Sequence, residues 1–211
     1  MKYFKFDENM DIVPATLEEV NQRTLPYTIL PDDAKVAYKG KIFSVFEYPQ
    51  KQYDGSTSIY EFVKRPDTMS VIPITLDNKF IYVKEHQAGL SPFVGMFGGR
   101  IEGGETIIEG ALRELKEEAG LIADTFIRAF SMQLIPKTDC SSGAFFVKGL
   151  TQTEKKLDPG ERIEVCYADF DEFFEAITSN QSREIETKLY LLNLFKNNQL
   201  ERLKKSLLNF E

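Results

Sequence analysis

The sequence predicts an α/β domain preceded by a β-rich N-terminal appendage of roughly 66 residues. Three observations carry this expectation. Alternating, aromatic-rich runs fill residues 35–87, which is the period-two signature of strands. A capped amphipathic segment follows at 106–120. The last third places apolar residues at helical spacing. The boundary falls between an extension at 1–66 and an α/β domain at 67–211.

Taken in order, the first 30 or so residues are polar, and Thr16-Leu17-Glu18-Glu19 has the form of a capping box that starts a short helix. Asp54-Gly55 is a hairpin turn between two aromatic-rich strands. The runs "MSVIPITL" and "KFIYVKEH", joined by Asp77-Asn78, predict a second and more buried hairpin. Further strands are expected at 126–134, 143–149 and 163–168. A short helix follows at 171–177, and a helical stretch runs over 183–208 with a break at Asn197-Asn198. Its apolar stripe of Ile185, Leu189, Leu192, Phe195, Leu200, Leu203 and Leu207 reads as core or interface packing.

Composition narrows the function. A formal charge of -7 leaves no excess of Lys and Arg to neutralise nucleic-acid phosphates. No apolar run approaches a membrane span, and the N-terminus has no apolar signal region. Cys140 and Cys166 stand in no metal-type spacing and read as thiols in a reducing compartment. A soluble, cytoplasmic protein with no nucleic-acid or membrane partner is expected.

The chemistry concentrates in "GGRIEGGETIIEGALRELKEEAGL", residues 98–121. Thr106 and Glu109 form a capping box, and Gly120 supplies a left-handed terminus. Inside, Glu114, Glu117 and Glu118 stand at i, i+3 and i+4, so they share one face. Like charges at that spacing destabilise a helix, and anions in its last turn oppose the dipole. The face is either solvated and relieved by Arg113 and Lys116, or a ligand set for a hard divalent cation such as Mg²⁺.

The spacing Gly99-x5-Glu105-x7-Arg113-Glu114-Leu115-x-Glu117-Glu118-x-Gly120-Leu121 resembles the complete Nudix box at every fixed position. The resemblance implies an α/β/α sandwich with a mixed sheet and a metal-dependent pyrophosphohydrolase using Mg²⁺ or Mn²⁺. It implies that Glu114, Glu117 and Glu118, with the Gly98 carbonyl, hold the metal. It further implies that Arg113 and Glu105 pair to orient those carboxylates. From about Val36 onward the order of elements is similar to that of ADP-ribose pyrophosphatases and related nucleoside-diphosphate-sugar hydrolases.

That likeness implies cleavage of ADP-ribose to AMP and ribose 5-phosphate, with a GDP- or UDP-sugar or a non-catalytic nucleotide sensor as alternatives. It also implies a homodimer built through the N-terminal strands. The aromatics Phe43, Phe46 and Tyr48 fit an interface or base-stacking role, or ordinary hairpin packing. Pro136, 16 residues beyond Gly120, either marks ADP-ribose hydrolysis or is a rigid loop residue. For the general base, Glu161 and Glu164 in "DPGERIEV" match a segment that supplies a catalytic carboxylate in some members. Either is otherwise a surface ion-pair partner. His86, the one histidine, is a proton acceptor or a polar strand-end residue. The chain departs from many relatives at Gly95-Met96-Phe97-Gly98-Gly99, at "DCSSGA" and at Lys84-Glu85-His86-Gln87, which bears on the substrate rather than on metal chemistry.

Overall fold

The computed structural model describes residues 1–24, 30–87, 89–133, 135–156 and 161–210. The polar start holds two strands, β1 (Lys2–Phe6) and β2 (Ile12–Pro14), which pair antiparallel. The Asp7 side chain shapes the turn between them by accepting from the N–H groups of Asn9 and Asp11, both at 2.9 Å. Helix α1 (Leu17–Asn21) begins at Thr16 in the capping box read from the sequence. Its far end is closed by Arg128, whose guanidinium donates to the carbonyls of Glu19 and Gln22.

Strands β3 (Lys35–Lys39), β4 (Ser44–Lys51) and β5 (Thr57–Lys64) form an antiparallel meander. Its second turn is the expected Asp54-Gly55, with Gly55 at φ 84°. Next come β6 (Thr68–Pro73) and β7 (Phe80–Gln87). The turn between them forms, with Asn78 at φ 62°, but the two strands do not make the expected hairpin. One bridge, Ile74 to Phe80, joins them before they diverge into different sheets. The cause is burial: both strands carry apolar residues on both faces, so each needs covering on two sides.

The chain continues through β8 (Phe93–Gly95), β9 (Phe97–Arg100) and α2 (Ile107–Glu114), which runs into a π-helical turn at Leu115–Ala119. After it lie β10 (Leu121–Ile122), β11 (Thr125–Met132), β12 (Thr138–Asp139), β13 (Ser142–Lys148), β14 (Thr151–Gln152) and β15 (Glu161–Ala168). Helices α3 (Phe170–Thr178), α4 (Ile185–Lys196) and α5 (Leu200–Asn209) end the chain, with the break at Asn197-Asn198 as expected.

A mixed six-stranded sheet ordered β2-β1-β11-β13-β6-β9 organises the fold. β13 shows how its two faces are used. Ala144 and Phe146 pack with Phe170, Phe173, Leu191 and Leu203 of α3, α4 and α5. Phe145 and Val147 pack with Ile108, Ala111 and Leu115 from α2 and its continuation. Each fully buried phenylalanine contributes about 2–3 kcal/mol of transfer free energy. The α/β class therefore holds, with helices on both faces of a mixed sheet. The sheet β15-β7-β8 covers the α2 side through Ile81 and Val83.

The C-terminal stripe is only partly interior. Leu203 and Leu207 are buried, but Ile185, Leu189, Leu192 and Phe195 are exposed. α4 instead turns Thr187, Leu191 and Leu194 inward. Both faces of α4 carry leucines, so periodicity alone does not choose between them.

Candidate functional site

Two glycines bring the acidic helix against a strand. In the β6–β9 pair, Gly98 lies opposite Ser70 and Gly99 opposite Met69. Gly98 has φ 149°, and a β-carbon there would stand 2.2 Å from the Met69 carbonyl oxygen. A β-carbon on Gly99 would stand 2.3 Å from Glu114 Oε1. One glycine thus permits contact with the neighbouring strand and the other with the helix. Gly98 N–H then donates to Glu118 Oε2 at 2.9 Å, tying strand to helix directly.

The helix starts as expected, with Thr106 Oγ1 accepting from Glu109 N–H and Glu109 Oε2 accepting from Thr106 N–H. Its last turn differs from the regular helix that was expected. Leu115–Ala119 is π-helical and closes at Gly120, φ 64°. Such a turn carries one extra residue and changes the angular spacing of side chains, and here it carries Glu117 and Glu118. The end of the turn is stapled from outside. Thr153 N–H donates to the Gly120 carbonyl at 2.8 Å, and Lys156 N–H to the Glu117 carbonyl at 2.9 Å.

Arg113 organises the carboxylates. Its Nε donates to Glu105 Oε1 at 2.8 Å, and Nη1 to Glu114 Oε1 at 2.9 Å and Glu117 Oε2 at 3.2 Å. Nη2 donates to the Arg100 carbonyl at 3.0 Å. The Arg113 guanidinium holds the Glu105 carboxyl below its usual range. Burial pushes Glu114 the other way, with Arg113 opposing the shift and the Glu117 and Glu102 charges adding to it.

These groups open onto a cavity of about 770 Å³. Among the described residues, its lining sets five carboxylates, Glu85, Glu102, Glu114, Glu117 and Glu118, against Arg100, Arg113 and Lys156. A second cavity of about 750 Å³ is lined by Ile74, Leu76, Leu121, Tyr167 and Leu208. Its described lining holds a single carboxylate, Asp124, beside Lys2 and Lys148, so size does not choose the site and the cluster of five carboxylates does. Among the described residues no three acidic, imidazole or thiol side chains already form a closed cation cage. The guanidinium of Arg113 lies between Glu114 and Glu117, and Glu118 is engaged by Gly98. The donor set nevertheless fits a hard divalent cation: carboxylate oxygens only, on an open wall, with a close glycine approach.

The remaining candidates separate by register. Along β7 the alternation Ile81, Val83, Glu85, Gln87 continues the buried face out into the cavity. Lys84 and His86 occupy the other face and are exposed. Glu164 lies opposite Lys84, with its carboxylate 3.9 Å from Nζ, so it stands away from the cavity as a surface pair. Glu161 lies opposite Gln87 in the register; its side chain and residues 157–160 lie outside the described residues. Pro136 sits in an exposed turn beside Lys137, whose ammonium lies 3.8 Å from the Tyr60 ring centroid. Of the expected aromatics, Tyr48 is buried and packs edge-on against Tyr60 at 6.1 Å.

Sequence reasoning missed Glu85, Glu102, Arg100 and Lys156 as lining residues. For Glu85 the signal was present, since it breaks an apolar alternation on its own face. It also missed Glu184, whose carboxylate accepts from Met96 N–H at 3.1 Å and Ser70 Oγ at 3.0 Å. Part of this residue reaches solvent, but the carboxylate is packed in protein, and burial pushes its pKa up to about 7. The unfolded chain titrates near 4.5, so the folded state holds the extra proton and stability falls as pH rises between those values. Wild type is expected to lose up to about 3 kcal/mol relative to Glu184→Gln between pH 4.5 and 7. Urea unfolding of both proteins across that range tests this, and parallel pH profiles would refute it.

A glycine-cradled, arginine-organised carboxylate face on a helix packed against a mixed sheet defines a class, and comparison agrees. The NUDIX domain family model matches residues 64–189, and the chain belongs to this family and is a Nudix hydrolase. Among curated proteins, it is 27% identical over 154 residues to the ADP-ribose pyrophosphatase of Bacillus subtilis (strain 168), covering 71% of this chain and 83% of that one. It is 30% identical over 138 residues to the methanol dehydrogenase activator of Bacillus methanolicus, covering 64% and 75%. Among solved structures, a crystal structure of an ADP compounds hydrolase superposes with a TM-score of 0.62 at 19% identity, covering 85% of this chain and 99% of that one.

Proposed function

We propose that the chain hydrolyses the pyrophosphate bond of a nucleoside diphosphate linked to a sugar, with ADP-ribose as substrate and AMP and ribose 5-phosphate as products. The observation that carries this reading is the union of Gly98, Glu114, Glu117 and Glu118 on one cavity wall under the control of Arg113. The name of the B. subtilis relative supports the choice of ADP-ribose.

In this reading Glu114, Glu117 and Glu118, with the Gly98 carbonyl, hold Mg²⁺ or Mn²⁺. A cation held there would supply positive charge to the diphosphate and make a water more acidic. Arg113 keeps Glu114 and Glu117 apart and in fixed rotamers, a supporting role that metal sites depend on. Arg100 and Lys156 supply positive charge to phosphate oxygens on the cavity side. Glu161, at the register position opposite Gln87, is the general base that takes the water's proton. Within residues 1–66, strands β3–β5 serve as the dimerisation element, an assignment supported by exposed Val36, Tyr38, Phe43 and Ile59 on these strands and their turn, while β1 and β2 belong to the six-stranded sheet. A cytoplasmic setting accords with the free thiols of Cys140 and Cys166.

A panel of diphosphate compounds assayed with Mg²⁺ tests the reading. ADP-ribose is expected to show the highest kcat/KM and to yield AMP. A GDP- or UDP-sugar with higher kcat/KM overturns the substrate and keeps the class. Hydrolysis of none of the panel would favour a nucleotide sensor.

A further inference from the structure

β8 belongs to the three-stranded sheet and β9 to the six-stranded one, so the chain changes sheets within Gly95-Met96. At such a crossing a backbone N–H leaves one ladder before the next begins, and it needs another acceptor. For Met96 that acceptor is Glu184 Oε1, at 3.1 Å. The other carboxylate oxygen accepts from Ser70 Oγ at 3.0 Å. Ser70 is the residue paired with Gly98 across β6 and β9. Glu184 therefore grips the backbone two residues before Gly98 and the side chain directly opposite it. A β-carbon on Gly95 would stand 3.4 Å from the same carboxylate, an ordinary van der Waals contact, so Glu184 also lies alongside the strand just before the crossing.

The segment bearing Glu184 is itself locked to the crossing. Val94 N–H donates to the Gln181 carbonyl at 2.9 Å, and Arg183 N–H to the Val94 carbonyl at 3.1 Å. The Arg183 guanidinium lies 4.3 Å from the Phe93 ring centroid. The start of α4 is thus a strut reaching through to the strand that meets Glu118.

We infer that Glu184 is a positioning residue for the divalent-cation site, setting where Gly98 stands relative to Glu118 through Met96 N–H and Ser70. The inference rests on the cation reading proposed above. Its test is Mn²⁺ binding to the whole protein, followed by the electron paramagnetic resonance of free Mn²⁺, with circular dichroism melts of the same samples. Wild type, Glu184→Ala, Glu184→Gln and Ser70→Ala are compared. Glutamine can accept from Met96 N–H and donate to Ser70 Oγ, so Glu184→Gln is expected to stay within about twofold of the wild-type Kd. Glu184→Ala is expected to bind about tenfold more weakly, and Ser70→Ala about threefold more weakly.

A purely structural role would lower the melting temperature of Glu184→Ala and leave the Kd of the folded protein unchanged, and that result overturns the inference. Should Glu184→Ala fail to fold, Ser70→Ala decides, because a Kd equal to wild type there overturns it equally. Wild type that binds no Mn²⁺ removes the cation reading itself, which is a different outcome from binding that is indifferent to Glu184.

Discussion

Glu118→Gln is expected to lower kcat by about three orders of magnitude while leaving the fold intact. On the cation reading proposed above, the loss follows from removing one anionic ligand, a contribution of several kcal/mol to transition-state charge stabilisation. The fold survives because a glutamine oxygen can still accept from Gly98 N–H, the bond that ties strand to helix. Steady-state kinetics with saturating Mg²⁺ and urea unfolding of the same preparation check both halves. A variant with near wild-type kcat would remove Glu118 from the chemistry. A variant that unfolds would make its role structural.

Gly98→Ala is expected to destabilise the protein by about 4 kcal/mol and to abolish activity in whatever fraction folds. Two penalties combine. Alanine at φ 149° is strained, and its β-carbon would meet the Met69 carbonyl oxygen at 2.2 Å, where backbone must give way. Relief requires β9 to withdraw from β6, which carries Gly98 N–H away from Glu118. Chemical denaturation measures the loss, and a cost under 1 kcal/mol would show that the close approach is not needed. Gly103 offers a contrast: a β-carbon there meets nothing within 4 Å, so Gly103→Ala should be silent.

The acidic helix was legible because its punctuation is local. A capping box and a terminal glycine act within a few residues, and the structure begins at Thr106 and closes at Gly120 as read. The strands of residues 44–64 were legible for the same reason, the turn at Asp54-Gly55 fixing their register. The failures are non-local. Whether β6 and β7 stay paired depends on what covers each of them, and that is decided by β13 and β15, far along the chain. Which face of α4 turns inward depends on α3 and the sheet, not on its own spacing. β1 reads as polar because its residues are only half-buried, and the partner that ties it into the main sheet, β11, lies more than a hundred residues away. Within the site, Glu184 gives no local signal, because its partners come from β6 and the β8–β9 crossing.

The pairing of β1 also constrains the order in which the molecule can be made. Lys2 is made well before Thr125, its partner across β1 and β11. The central strand β13 joins β11 to β6 and is later still, spanning Ser142–Lys148. During synthesis β1 can pair at once with β2, but its other edge must wait for β11 while the acidic helix and both glycines emerge. The sheet can close only once β13 is available, and long-range closure of this kind is slow compared with helix formation. On the nascent chain, α2 can form early by its own capping, and β9, the strand that Glu118 meets, follows its one sheet neighbour β6 directly. The β6–β9 pair that forms one wall of the cavity is held in the full sheet only once β6 gains β13 along its other edge.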